Sequence, residues 1–240
     1  MTTLFISDLH LEPARSDITA QLLSFLAGEA RDAEALYILG DLFEVWVGDD
    51  DDDPFVDQIG AALRAVSDSG VNCFFTHGNR DFLIGEAYAA RAGFDLLSDW
   101  TRLELGSETV LVGHGDDLCT DDTDYMAFRR MVRDPQWQLN MLGLPLAQRR
   151  QLAVSARQQS QANTANKTIE IMDVNASAVA QLLRDHDVNQ LLHGHTHRPA
   201  IHRFSVDGKD ATRIVLGDWY EQGSIVRWDE TGYQLEQLTR

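Results

Sequence analysis

The sequence predicts an α/β (α+β) protein built as a four-layer αββα sandwich of two mixed sheets with an inserted helical cap. Three observations predict it. The first half of the chain alternates short apolar runs with stretches of helical periodicity. From Gln190 onward, short β-type runs are joined by turn signals. Between these halves lies a segment whose apolar residues recur at helical spacing.

Thr3–Ser7 (TLFIS) is an apolar run of the kind a strand shows when buried on both faces. Asp17–Ala30 follows as a helix, with Ile18, Leu22, Leu23, Phe25 and Leu26 on one face. Strand Ala35–Leu39 leads to a helix over Pro54–Ser69, where Asp53 is the N-cap and Pro54 belongs to the first turn. Strand Asn72–Thr76, a short helix over Leu83–Arg91 and strands Thr101–Leu105 and Thr109–Val112 complete the first half. Asp124–Asp134 and Leu146–Lys167 read as helices, with Pro135 and Pro145 marking breaks. Ala176–His186 is another helix, with Val179, Leu182 and Leu183 at helical spacing. Gln190–His193, Ala200–Val206, Ala211–Leu216, Ser224–Asp229 and Tyr233–Leu238 are then strands joined by Asp-Gly-Lys-Asp and Thr-Gly turns. Residues 1–123 and 174–240 therefore form the core, and residues 124–173 the cap.

Composition narrows the function. A net charge of −18 disfavours nucleic acid as a partner. No apolar run approaches the ~20 residues of a membrane span. The start, Met-Thr-Thr-Leu-Phe-Ile-Ser-Asp, carries no basic n-region, so a cytosolic setting is expected. Two cysteines, Cys73 and Cys119, make no disulfide framework. Charge is unevenly spread: residues 124–167 hold six Arg and one Lys against two Asp. The Asp49–Asp53 run reads as a solvated loop, whereas the basic island, set among apolar residues, suits an amphiphile with acyl chains and a diphosphate or an anionic membrane surface, and points outward as a docking face should.

The chemistry lies in five turns. Asp8-Leu9-His10, Gly40-Asp41, Gly78-Asn79, Gly113-His114 and Gly194-His195-Thr196-His197 each follow an apolar run, so each delivers a ligand at a strand's carboxyl edge. Asp8 and His10, two apart, can turn toward one cation, and the two oxygens of Asp41 can bridge two. Asn79 offers a neutral carbonyl, and His114, His195 and His197 offer imidazole. Mixed nitrogen and oxygen donors without thiolate suit Mn²⁺, Fe or Zn²⁺ better than Ca²⁺. Seven such ligands suffice for two ions. A lone Gly-Asp is usually only a turn, and the remaining histidines, His77, His186, His193 and His202, read as structural; it is the ordered set that is specific.

That ordered set resembles the calcineurin-like metallophosphoesterase superfamily along nearly the whole chain. More narrowly, Gly40-Asp-Leu-Phe-Glu-Val-Trp-Val-Gly-Asp-Asp, His77-Gly-Asn-Arg-Asp-Phe-Leu and His114-Gly-Asp-Asp-Leu-Cys-Thr-Asp-Asp are similar to the UDP-2,3-diacylglucosamine hydrolase family of lipid A biosynthesis. The resemblance implies two Mn²⁺ ions, one on Asp8, His10, Asp41 and His197, the other on Asp41, Asn79, His114 and His195. Asp41, Asn79, His114 and His195 would then be the catalytic set. It further implies water attack on the uridine-side phosphorus of UDP-2,3-diacylglucosamine, giving UMP and 2,3-diacylglucosamine 1-phosphate. The protein would sit peripherally on the cytoplasmic face of the bacterial inner membrane. Asn79, Arg80, Asp122, Ser160, Thr164, Lys167 and His195 are the implied substrate contacts, with Asn163 and Arg157 beside them. One departure from the superfamily is Arg80, where many members carry a His that protonates the leaving group. Arginine cannot act as a general acid, but its fork binds phosphate oxygens, which suits a leaving group that departs as a stabilised anion. A generic phosphodiesterase using the same metals is the rival enzyme, and a non-catalytic scaffold binding a partner through the cap is the rival outside enzymology; intact ligands argue against the scaffold.

Overall fold

The computed structural model describes residues 2–164, 168, 171–221 and 223–238, with the side chains of 161–164 outside the described set. Its elements run β1 (Thr3–Ile6), α1 (Ser16–Ala27), β2 (Ala35–Ile38), α2 (Pro54–Ser67), β3 (Asn72–Phe75), α3 (Glu86–Ala92), β4 (Asp95–Leu96), β5 (Trp100–Leu105) and β6 (Glu108–Gly113). Then come α4 (Thr123–Val132), α5 (Pro135–Leu142), α6 (Leu146–Thr164), α7 (Ala176–Asp185), β7 (Gln190–His193), β8 (Ala200–Val206), β9 (Lys209–Val215), β10 (Gly223–Asp229) and β11 (Gly232–Leu238).

Two mixed sheets form, in the orders β11-β10-β1-β2-β3-β4 and β5-β6-β7-β9-β8. Strands β1, β2 and β3 are mutually parallel, as are β6 and β7. The strands that carry the metal-ligand motifs are thus parallel to one another within each sheet, while β10 and β5 flank them antiparallel, and their carboxyl ends open toward one edge.

Side-chain alternation builds the layers. Phe5, Tyr37, Leu39, Val110, Val112, Leu192 and Ile214 fill the space between the sheets. Leu4, Ile6, Leu36, Ile38 and Phe75 point the other way, against α1, α2 and α3. Leu111 and Leu191 pack on Val179 and Leu183 of α7. This is the expected αββα order. Alternate residues of one strand serve two different cores because side chains switch faces at every step.

Two elements went unread in the sequence. Helix α5 begins at Pro135, which does not break a helix but starts one, with Asp134 accepting from Trp137 N as its cap. The two-residue strand β4 is too short to show a period. Helix α3 starts three residues later than Leu83, at Glu86, and the Asp49 carboxylate takes the Gly85 and Tyr88 N–H groups at its start. Cys73 and Cys119 are both buried, and burial pushes their thiols up to about 11 and about 12, as expected for inert core residues.

Candidate metal centre

Five of the seven candidate ligands have left-handed backbones: Asp8 (φ 56°), His10 (49°), Asp41 (52°), His195 (65°) and His197 (56°). Among the described residues, only Asp187 and Asp207 share this without being glycine. Such conformations cost of order 1–3 kcal/mol each and persist where the surroundings over-determine them. Here the turns are stitched together. Asp8 N donates to Gly40 O (3.1 Å), His10 N to Asp41 O (3.0 Å) and Gly194 N to His114 O (3.1 Å). The glycines of the motifs are sites of close approach. A Cβ on Gly78 would lie 2.1 Å from Asp41 Oδ1, and one on Gly194 would lie 2.2 Å from Asp8 Oδ2.

The side chains gather in two clusters sharing Asp41. In the first, His197 Nε2 lies 3.3 Å from Asp8 Oδ1, His10 Nε2 lies 3.7 Å from Asp41 Oδ2, and the two Nε2 atoms are 3.1 Å apart. In the second, His114 Nε2 lies 3.1 Å from Asn79 Oδ1 and 3.6 Å from Asp41 Oδ1, and His195 Nδ1 lies 2.8 Å from Asn79 Oδ1.

The protonation pattern shows that these clusters fit cations. His10 Nδ1 donates to Glu44 Oε2 (2.9 Å) and His114 Nδ1 to Leu39 O (2.9 Å), since neither oxygen can donate. Their Nε2 lone pairs are thereby aimed inward. His114 Nε2 faces two acceptors, Asn79 Oδ1 and Asp41 Oδ1, so a positive charge belongs between them: a cation, or a proton on the ring, which burial opposes but Asp41 and Asp8 favour. Asp8 Oδ2 accepts from Ser7 Oγ (2.6 Å) and His195 N (2.9 Å), while its buried Oδ1 has no hydrogen-bond partner among the described residues. Separations near 3 Å between ligand atoms are those expected around an ion with bonds of about 2.0–2.2 Å.

Titration behaviour follows from the same crowding. Burial raises and the histidines lower the Asp8 carboxyl, leaving it far below the usual carboxylate range. Burial disfavours a charged His197, but Asp218 and Asp8 outweigh it and lift the ring to about 10. A proton on His197 therefore stands in for a cation in the metal-free chain. Burial and the neighbouring His114 lower His195 to about 4, so it presents a neutral ring. His193 is lowered to about 3 by burial and Arg213, in keeping with its structural reading.

Three supporting carboxylates were not singled out from the sequence. Glu44 orients His10, and Asp218 Oδ2 lies 3.4 Å from His197 Nδ1, the pattern by which carboxylates fix and strengthen histidine ligands. Asp81 is fully buried and accepts from Leu42 N (2.7 Å), Gly78 N (2.9 Å) and Asp41 N (3.3 Å), tying two ligand turns together. Burial and Asp41 raise its carboxyl to about 7. Asp81 and Glu44 lie within the quoted motifs, and Asp218 follows Gly217 in a further Gly-Asp pair, so the signal was adjacency to known turns.

Helices α4 and α6 pack against this centre. Asp116, buried, accepts from Tyr125 Oη (2.5 Å) and Arg129 Nε (2.8 Å) of α4, while the Tyr125 ring stacks on His195 at 5.8 Å. Arg133 donates to Gly78 O (3.0 Å). Helix α4 thus touches three of the four turns of the second cluster, those of Asn79, His114 and His195. Helix α6 pairs Arg149 with Asp50, Arg150 with Asp51 and Asp52, and Arg157 with Glu44. Two readings are corrected by these contacts. Asp49–Asp53 is no merely solvated loop, and the basic island is not an outward face: most of its arginines are turned into the acidic loops of the core, where opposite charges are closest.

The remaining substrate candidates sit as follows. Arg80 N donates to Asp41 Oδ1 (2.8 Å), and its buried Nε has no hydrogen-bond partner among the described residues. Asp122 accepts from Tyr125 N as the N-cap of α4. Ser160 is half-buried on α6. Asn163 and Thr164 lie on α6 with side chains outside the described residues, and Lys167 is itself outside them.

The profile of the Calcineurin-like phosphoesterase family matches residues 1–199. The chain belongs to the calcineurin-like phosphoesterase family. Membership in the calcineurin-like phosphoesterases implies a dinuclear metal site, for which the two clusters supply candidate ligands. Among curated relatives, the UDP-2,3-diacylglucosamine hydrolase of Enterobacter sp. (strain 638) is 51% identical over 238 residues, 99% of each chain. The protein of the same name from Xanthomonas oryzae pv. oryzae (strain PXO99A) is 52% identical over 245 residues, also 99% of each chain. That of Escherichia coli O157:H7 (strain EC4115 / EHEC) is 52% identical over 227 residues, 95% of each. Among the described residues, no helix is long and apolar enough to cross a membrane.

Proposed function

We propose that this chain hydrolyses the pyrophosphate bond of UDP-2,3-diacylglucosamine, giving UMP and 2,3-diacylglucosamine 1-phosphate for lipid A biosynthesis. The observation that carries this reading is the pair of inward-facing ligand clusters sharing Asp41, in a chain about half identical over its length to hydrolases of that name. Asp8, His10, Asp41 and His197 would hold one divalent cation and Asp41, Asn79, His114 and His195 the other, with Mn²⁺ favoured by the family resemblance. Such a pair supplies charge neutralisation on the diphosphate and a lowered pKa for the attacking water.

The chain's own residues do the rest. Arg80, one residue past Asn79, binds phosphate oxygens through a guanidinium whose Nε has no hydrogen-bond partner among the described residues. Attack falls on the uridine-side phosphorus, and the sugar phosphate leaves as a stabilised anion, so no protonated histidine is needed where Arg80 stands. Asp122, Ser160, Asn163, Thr164 and Lys167 contact the glucosamine head group. Exposed apolar side chains of the cap, among them Phe128, Met131, Leu139 and Leu152, meet the acyl chains or the membrane from which they come. The enzyme works peripherally at the cytoplasmic face of the inner membrane, held by these apolar groups more than by charge.

Turnover of UDP-2,3-diacylglucosamine in oxygen-18 water with Mn²⁺ tests the assignment. Label is expected in UMP and not in the lipid phosphate, and Asp41→Ala should abolish turnover. Label in the lipid phosphate, or full activity of Asp41→Ala, would refute it.

A further inference from the structure

We propose that the nucleoside of the substrate seats in the cleft between α6 and the loop that follows β2, on the His10 side of the metal centre. This rests on the reading that the substrate is a nucleoside diphosphate joined to a lipid-bearing sugar. The inference follows from where the two arms of such a molecule can go. Asp122 and Tyr125 lie at the start of α4, and the Tyr125 ring stacks on His195 of the second cluster. The sugar arm therefore leaves over the second cluster, toward α4 and the end of α6 that carries Ser160, and the nucleoside is left the stretch of α6 before it. A diphosphate spanning both clusters must then send its other arm out over His10 and His197.

A cavity of about 470 Å³ opens on that side, floored by His10 and Glu44 and walled by Glu12, Val45, Val154, Arg157, Gln158 and Tyr220. Its size falls within the about 300–1,000 Å³ of ligand pockets. Its chemistry is graded along its length. Nearest the metals, Glu44 is neutralised, because Arg157 Nε and His10 Nδ1 both donate to it. The Arg157 cation accordingly stands beside the phosphate end without a bare carboxylate to repel it. Val45 and Val154 are 39% and 56% exposed, the two apolar walls that a planar base needs. Tyr220, stacked on His10 at 5.3 Å, makes the remaining wall rigid. At the rim, the Gln158 amide carries both a donor and an acceptor, matching the N3–H and carbonyl edge of uracil. The Glu12 carboxylate accepts from a ribose diol, as acidic residues do in nucleotide sites.

A second cavity of about 300 Å³ lies on the far side of Tyr220, lined by Asp218, Glu221 and Ser224. Its lining also includes His197, whose Nδ1 lies 3.4 Å from Asp218, but it offers no exposed apolar pair like Val45 and Val154 between which a base could lie.

The test is direct binding of UMP to the Mn²⁺-loaded full chain by calorimetry, with inhibition by UMP and by 2,3-diacylglucosamine 1-phosphate measured alongside. Val154→Glu and Gln158→Ala alter exposed positions and should leave folding and metal content intact. Both are expected to weaken UMP binding about tenfold or more while changing inhibition by the lipid phosphate less than about twofold; Gln158→Ala should also narrow the preference for UMP over CMP. Unchanged UMP affinity in both variants, or equal losses for UMP and lipid phosphate, would overturn the inference. If the wild type binds UMP in a variant-sensitive way yet fails to cleave the lipid nucleotide, the nucleoside site stands and the proposed reaction falls.

Discussion

Asp8 uses its two oxygens differently: Oδ2 is held by Ser7 and His195 N, and Oδ1 faces the ring nitrogens of His197 and His10. This division recurs at the histidines, one nitrogen anchored and the other aimed inward. Removing an anchor should loosen the aim. Glu44→Gln is expected to weaken first-cluster metal binding about 10–100-fold while preserving the fold, and a calorimetric Mn²⁺ titration would show it; unaltered affinity would contradict the anchoring role. His197 makes a pH prediction in chelator-treated protein. Its ring is raised from 6.5 to about 10, so its contribution to stability is complete below pH 6.5 and is lost as pH rises through 10. The thermal midpoint of the chelated wild type should fall more steeply between pH 7 and 10 than that of His197→Gln, and parallel slopes would exclude this linkage. Asp41, Asn79, His114 and His195 were legible because each follows a glycine directly after an apolar strand, and Asp8, His10 and His197 because they stand in the same kind of turn, two residues from a partner ligand. Glu44, Asp81 and Asp218 were not, since their meaning lies in which turn they reach across space.

Among the elements, α6 shows how charge joins the cap to the core. Arg149 is buried, with its guanidinium on Asp50 and its donors on Val47 O and Leu144 O. Its partner Asp50 is 65% exposed, so replacing the arginine strands two carbonyls more than it strands a charge. Arg149→Ala should cost about 1–3 kcal/mol in a urea melt and make α6 the first segment cut by a protease. A loss below half a kcal/mol would mean that the clasp is incidental. Strands β1, β2 and β7 were legible because burial on both faces writes a continuous apolar run. Helix α5 was not, although Asp134-Pro135 repeats the Asp53-Pro54 signal that marks α2; a proline taken for a stop was the first residue of a new start. The basic stretch likewise looked like a surface because sequence shows charge without showing what it faces.

At the scale of the whole molecule, the sandwich exists so that strands from two sheets end side by side. Because ions bound to the folded state stabilise it by mass action, Mn²⁺ at about a thousand times its dissociation constant should add about 4 kcal/mol per site. A scanning experiment with and without chelator reads this as a higher melting temperature, and no shift would deny the centre. The connectivity has a further consequence. His10 and His197 meet although 187 residues separate them, and β1 lies between β2 and the late strand β10. A polypeptide still emerging from the ribosome carries three of the four candidate ligands of each cluster, and the missing pair, His195 and His197, arrives together from a single late turn. Neither cluster is complete until that turn has been made and β7 has taken its place beside β6.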